Sequence, residues 1–468
     1  MPVLLRSLLL AAVAVVVVAV ALPVTEASAS SRQWTAFEAP GELLDDTRRE
    51  ETLDEIDAFG VDHIRVLVYW RRFAPDATSR RRPDFDASDH TAYRAGNWGE
   101  LDRLVDSARR RGIEVHLTPT GPVPRWATRR KRNQVSDPSP REFEAWMTAL
   151  GDRYRDRVGI WSIWNEPNHP AFLGPQHRKG QPATPRIYRR LYQAAHRALE
   201  DTGNGSDTIL FGETLPRGGS RTVNPIPFLR GALCLDRRYK KSRQCGRLDM
   251  DGYAHHAYTT SEGPRFKPSN PEQVTIGVLS RLTRALDRAA RARAVPSNLG
   301  IYLTEFGIQS YPDRTSGVPL SRQAEYLAVA ERIAYANPRV KSFSQYLLHD
   351  DQRREDGSYG GFETGLRTAS GRKKPAYEAF RLPLAVADYG RSDVLWGRVR
   401  PYPGQTAVTI LAARRGRAFK PLRTVETNSR GVFGLRTRHI RGQRYRVRWA
   451  APDGATHTGP PIRPISPR

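Results

Sequence analysis

The chain alternates short apolar runs with longer amphipathic stretches, and the alternation repeats eight times over roughly 350 residues. The apolar runs fall at 33–38, 63–70, 113–120, 158–165, 208–212, 250–257, 300–306 and 340–347. Each is rich in β-branched and aromatic residues, as a strand is. Between them, apolar residues recur at helical spacing, and several stretches open on start signals. Ser139-Pro140-Arg141-Glu142 offers an N-cap serine, a proline for the first helical position and a glutamate to close a capping box. Phe143, Trp146, Met147, Leu150 and Tyr154 follow on one face. Asn270-Pro271-Glu272-Gln273 predicts a second start, with Leu279, Leu282 and Leu286 as its buried stripe, and Thr184-Pro185 a third. Eight strand–helix repeats predict a (β/α)8 TIM barrel. An open doubly wound sheet shares the periodicity, but no glycine-rich phosphate loop follows the first strand.

Past Ala385 the pattern changes. Runs at 395–399, 407–411, 423–427 and 444–449 read as strands, with Gly404, Gly416, Gly431 and Gly442 at turn positions between them. A small antiparallel β-sandwich-like domain follows the barrel, and the tail at Gly459-Pro460-Pro461 reads as irregular. The expected organisation is a signal peptide at 1–29, a barrel at 30–386 and a basic β-domain at 387–468.

The first segment combines Arg6, an apolar run from Leu8 to Val24 and the small-residue site Ala27-Ser28-Ala29. That is the build of an export signal cleaved near Ala29. An uncleaved anchor is the rival reading, because the run approaches spanning length. Either way the chain is expected to be secreted or held at the cell surface. Export places Cys234 and Cys245 in an oxidising compartment, where a disulfide between them is expected. Without a histidine pair at ligand spacing they make a poor zinc site, and no metal is expected.

The net charge is +26, unevenly spread. From Arg391 onward there are 17 Lys+Arg against 3 Asp+Glu. Such a surface suits an anionic cell-wall polymer, although charge runs are often only solvated faces. Nucleic acid is disfavoured by export and by the lack of a recognition motif. A monomer is expected.

In a parallel barrel the working groups sit where strands end and loops begin. Two glutamates stand there, in Trp164-Asn165-Glu166-Pro167-Asn168 after the fourth strand and in Thr304-Glu305-Phe306-Gly307 after the seventh. A carboxylate ending an apolar strand is costly to desolvate unless it is paired or working. Two such groups facing each other are the equipment for cutting a glycosidic bond.

These two segments resemble the signatures of the glycoside hydrolase clan with its acid/base on strand four and its nucleophile on strand seven. Family 5, the cellulase family, and family 39 are the most similar members, and the resemblance spans 33–385. It implies Glu166 as acid/base and Glu305 as nucleophile of a retaining glycosidase acting on a poly- or oligosaccharide, with no cofactor. It further implies that Arg65 supports Glu305 and that Asn165 holds a sugar hydroxyl. His256 and Tyr258, from Gly252-Tyr253-Ala254-His255-His256-Ala257-Tyr258, match a His-x-Tyr element, which implies that His256 tunes the acid/base or binds sugar and that Tyr258 orients the nucleophile. His116, on the third strand, faces either the site or the helix layer. Trp126 and Trp70 are candidate sugar platforms or core residues. The chain departs from the clan on strand eight, where Phe343-Ser344-Gln345-Tyr346 has no tryptophan, so Gln345 or Tyr346 takes the platform's place. A transglycosylase would use the same residues, and a non-catalytic glycan- or wall-binding protein is the rival class. A metal-dependent barrel hydrolase is a third, disfavoured because no His-x-His follows the first strand.

Overall fold

The computed structural model describes residues 33–352, 361–402 and 404–467. The export signal therefore lies outside the described residues. Eight parallel strands close into a barrel: β1 Trp34–Glu38, β2 His63–Tyr69, β3 Glu114–Thr120, β4 Ile160–Ser162, β5 Thr208–Thr214, β6 Gly252–His256, β7 Gly300–Glu305 and β8 Val340–Tyr346. Each pairs with its neighbours in sequence, and β8 closes on β1 with Trp34 opposite Ser342. All eight predicted strands are present. Alternating residues fill the two sides of the wall. Ile160, Leu210, Ala254 and Tyr302 form a separate apolar cluster drawn from four adjacent strands. The larger core lies between wall and helices.

The predicted helix starts fare unequally. Pro140–Tyr154 is helical, and Ser139 Oγ accepts from the Glu142 amide. The box does not close, because the Glu142 carboxylate binds Arg82 instead. Thr184–Asp201 is helical without a side-chain cap. The start at Asn270 is corrected: Asn270 Oδ1 accepts from the Glu272 amide in a turn, and the helix begins at Ser280. Leu279, Leu282 and Leu286 are nonetheless buried.

Beyond the barrel stand β9 Leu384–Asp388, β10 Ser392–Arg398, β11 Ala407–Arg414, β12 Lys420–Glu426, β13 Val432–Arg438, β14 Gln443–Ala450 and β15 Thr456–Thr458. They form two antiparallel sheets, β9-β10-β13 and β12-β11-β14-β15. Leu384, Leu395 and Phe433 of one meet Ile410, Val447 and Trp449 of the other in a second core. Cys234 and Cys245 are joined by a disulfide. Among the described residues no helix is long and apolar enough to cross a membrane.

Candidate active site

The strand ends bring Glu166 and Glu305 together around one imidazole. His256, last residue of β6, has Nδ1 2.9 Å from Glu166 Oε1 and 2.9 Å from Glu305 Oε2. Its other nitrogen, Nε2, lies 2.8 Å from Glu213 Oε2. Facing atoms of Glu166, His256 and Glu305 all lie within 4.8 Å of one another. Both glutamates are nearly buried, with side chains 12% and 10% exposed.

Two carboxylates and a cation complete the cluster. Arg65, on β2, is fully buried. It donates to Glu38 Oε2 at 2.5 Å, to Glu213 Oε2 at 2.5 Å and to Asn165 Oδ1 at 2.6 Å. Glu305 Oε1 is farther from Arg65, at 3.5 Å. Arg65 is thus the centre of a carboxylate ring, rather than a support for the nucleophile alone. Neither Glu38 nor Glu213 was among the residues expected from sequence. Both obey the rule that found the other two, a glutamate at the C-terminal end of a barrel strand. The apolar run at 208–212 ends one residue short of Glu213, whereas the strand itself continues to Thr214.

The backbone is contorted where these residues project. Trp164, Glu166 and Glu213 have φ of 74°, 37° and 53°. Non-glycine residues enter this left-handed region at a cost of about 1–3 kcal/mol each. At Gly212, with φ of 126°, an added Cβ would lie 2.4 Å from the Ala254 carbonyl oxygen. The β5–β6 register shifts there, between Gly212 and Thr214. This bulge turns Glu213 into the barrel.

Six ionisable groups packed together cannot all carry charge. Burial raises Glu166 above the ordinary carboxylate range, and the His256 bond only partly opposes it. Burial would also raise Glu305, but His256 and then Arg65 outweigh it and hold Glu305 low. Glu38 is pushed up to about 8, chiefly by burial. Glu213 is held far down: Arg65 and His256 overcome its burial. His256 is raised well above its usual value against the pull of burial, because carboxylates surround it. These directions favour a state with Arg65 and His256 as cations, Glu213 and Glu305 as anions, and the protons on Glu38 and Glu166. In that state both imidazole nitrogens are donors. His256 then has no lone pair for a metal, although its distances to the two glutamates would suit one. A second such group, Asp388, Asp393 and His439, lies in the β-sheets far along the chain.

The other expected residues divide. Asn165 is at the site, with its side-chain oxygen taken by Arg65 and its amide bonded to Thr120. Tyr258 is beside it, its ring 6.5 Å from that of His256 and stacked on Phe306. Its buried hydroxyl has no hydrogen-bond partner, so it does not hold the nucleophile as expected. His116 is buried with both nitrogens unpartnered, against His63. Burial keeps it far below its normal pKa, hence neutral. It touches neither catalytic candidate and packs the barrel interior.

Three open readings are decided, and the sugar-binding alternative fails for Trp126, Trp70 and Gln345. Trp126 is 4% exposed, and its indole N–H donates to the Pro75 carbonyl, so it is core. Trp70 is fully buried and stacked on Trp146. Gln345 turns away from the mouth, donating to the carbonyls of Tyr346, Leu347 and Thr364. Alternation along β8 gives the mouth to Tyr346, whose ring meets Tyr258 and the exposed Phe362 edge-on.

A closed parallel barrel with paired glutamates at strands four and seven defines a glycoside hydrolase. Residues 24–337 match the profile of the family described as Cellulase (glycosyl hydrolase family 5), and the chain belongs to that family. Solved structures share the fold. A family 39 glycoside hydrolase from the gut symbiont Bacteroides cellulosilyticus WH2 is 16% identical with TM-score 0.53, over 88% of this chain and 80% of that one. GH5_18 from Streptomyces cattleya in complex with GlcNAc is 20% identical with TM-score 0.52, over 76% and 81%. No curated protein matches the chain.

Proposed function

We propose that this protein is an exported retaining glycosidase that hydrolyses O-glycosidic bonds of a poly- or oligosaccharide by double displacement. The observation that carries this reading is the approach of Glu166 and Glu305 to within 4.8 Å around His256. Retaining enzymes hold their two carboxyls about 5–5.5 Å apart, whereas inverting ones leave room for a water. The electrostatics suit the roles, since burial favours the protonated form of Glu166 while His256 and Arg65 favour the ionised form of Glu305.

In the first step Glu305 attacks the anomeric carbon. The bond to the leaving oxygen breaks, and that oxygen takes the Glu166 proton. The sugar is then an ester of Glu305. In the second step Glu166, now a carboxylate, takes a proton from water. The resulting hydroxyl attacks the anomeric carbon, the ester bond breaks, and Glu305 leaves as a carboxylate. Arg65 and His256 favour the ionised Glu305 at both ends of the cycle.

The test is a panel of aryl glycosides and oligosaccharides with the first-formed anomer followed by NMR. A retained anomer is expected, and an inverted one would overturn the mechanism. Glu305→Gln should abolish turnover while leaving glycan binding intact. The N-terminal sequence of protein recovered from culture medium tests export and cleavage near Ala29.

A further inference from the structure

The loops following β3, β4 and β5 differ in charge from those following β6 and β7. Segments 121–139, 167–183 and 215–224 contain nine Lys and Arg against one acid, Asp137. In contrast, 257–275 and 306–319 carry equal numbers of each sign. Arg129, Arg130, Lys131, Arg132, Lys179 and Arg217 are exposed. Among the described residues none of the six has a carboxylate partner. Arg178 alone in these loops is paired, with Asp137.

These three loops are one built surface. The Asp137 amide donates to the Gly174 carbonyl at 2.8 Å, and the Gly174 amide to the Val135 carbonyl at 2.9 Å, tying the β3 loop to the β4 loop. Asn168 accepts from the Leu215 amide at 2.9 Å and donates to the Val223 carbonyl at 2.9 Å, tying the β4 loop to the β5 loop. The cations therefore stand on a fixed rim, and Glu166 projects from its middle. Arg217 also lines a hollow of about 220 Å³ with Thr259, Thr260, Ser261, Thr315 and Ser316, directly beyond Gly307. Beside Gln309 and the apolar Ile308 and Val318, that lining brings together five hydroxyls and one guanidinium, groups that can donate to an anionic oxygen group. Strand eight meanwhile offers Tyr346 instead of a tryptophan platform.

We infer that the substrate is an anionic glycan and that its leaving-group side is read by this rim. The inference rests on the proposed glycosidase reading, because Glu166 must protonate the leaving oxygen. The part of the substrate beyond that oxygen then lies over the loops around β4, where the cations outnumber the carboxylates and Asp137 is taken up by Arg178. Unpaired cations around a low-dielectric mouth raise the local concentration of an anionic chain and speed its capture. The group recognised is an anionic oxygen cluster: a uronate carboxylate, a sulfate ester or a phosphodiester.

Binding and cleavage are measured separately. Binding to the Glu305→Gln protein is followed by calorimetry with uronate-containing, sulfated and phosphodiester-linked oligosaccharides, each beside its neutral counterpart. At least one acidic member should bind roughly tenfold or more tighter than its counterpart, with the advantage fading as salt is raised. Which of the three does so identifies the anion. The combined Arg129→Glu, Arg130→Glu and Arg132→Glu variant should erase the preference, and Arg217→Ser should weaken it. Equal binding of acidic and neutral members overturns the inference, as does a preference that survives the triple variant. A DNA duplex that binds as tightly as the best acidic glycan would also overturn it, by making the rim a general polyanion surface. Failure of the glycosidase reading is a different result: no aryl glycoside or oligosaccharide is turned over by the wild-type protein, whatever it binds.

Discussion

Glu213 is the residue whose part in the site is most exposed to test. It is fully buried, and its carboxylate holds His256 Nε2 and Arg65 together. It is therefore a positioning residue: its charge keeps the imidazole protonated, and the imidazolium keeps Glu305 ionised. Removing the charge with Glu213→Gln should lower the His256 pKa; the weakened imidazolium then raises Glu305 by more than the lost Glu213 repulsion lowers it, because His256 acts on Glu305 more strongly than Glu213 does. Glu305 must be ionised to attack, so the acid limb of the kcat/KM profile should move to higher pH, by roughly one unit. The alkaline limb, set by loss of the Glu166 proton, should move less. On the acid limb, well below the Glu305 pKa, the rate should fall about tenfold for a one-unit shift, while the optimum is largely kept. A merely structural role would lower the melting temperature and scale the whole profile without moving its limbs. Should the variant fold poorly, ¹⁵N NMR of the wild-type imidazole, assigned with His256→Gln, serves instead. A doubly protonated His256 at neutral pH is expected, and a neutral ring would contradict the relay.

At the scale of elements the sequence was most legible where a run is apolar and bounded. All eight barrel strands were placed by composition alone, because each must bury both faces. Glu166 and Glu305 were legible for the complementary reason, as charges ending such runs. What escaped was decided by neighbours. Asn270-Pro271 carries the same chemistry as a helix cap and an Asx turn, and only packing selects between them. Trp126 could not be sorted into platform or core without knowing that Pro75 and Trp70 come to meet it. Gln345 and Tyr346 differ by one step of strand parity, which a sequence fixes only to within a residue. The β5 bulge was hidden for a similar reason, since glycine ends strands as readily as it bends them. Its weight can be measured. Gly212→Ala would put a side chain at φ 126° and against the Ala254 carbonyl oxygen. The expected loss is about 1–3 kcal/mol of stability by urea unfolding. Because the bulge aims Glu213, the variant should also shift the acid limb as Glu213→Gln does. Unchanged stability and profile would mean that the bulge relaxes freely and aims nothing.

At the scale of the whole molecule, the two C-terminal sheets are fastened to the barrel by buried charge. Arg400 is almost fully buried; it pairs with Glu331 on the helix Leu320–Tyr335 and donates to the Phe380 carbonyl at 2.7 Å. Arg398 reaches the same Glu331 at 3.5 Å, and Tyr402 donates to Asp62 beside β2. β9 begins at Leu384, three residues after the helix Pro375–Arg381, so a cut after residue 386 would pass through a strand. A module that only tethers the enzyme to a wall has no need of such a joint. Breaking a buried pair from one side strands the other charge, at a cost of about 3–5 kcal/mol. Arg400→Met should therefore lower unfolding stability by about that much, less whatever Arg398 compensates. Adding Glu331→Leu should restore most of the loss, because two apolar groups leave no charge stranded. The double-mutant cycle in urea isolates the coupling. If the sheets support the barrel, Arg400→Met should also lower the temperature at which glycosidase activity is lost, in step with the melt. A barrel of residues 30–386 that folds alone with wild-type stability and activity would refute the joint and return the sheets to the role of a detachable wall-binding module.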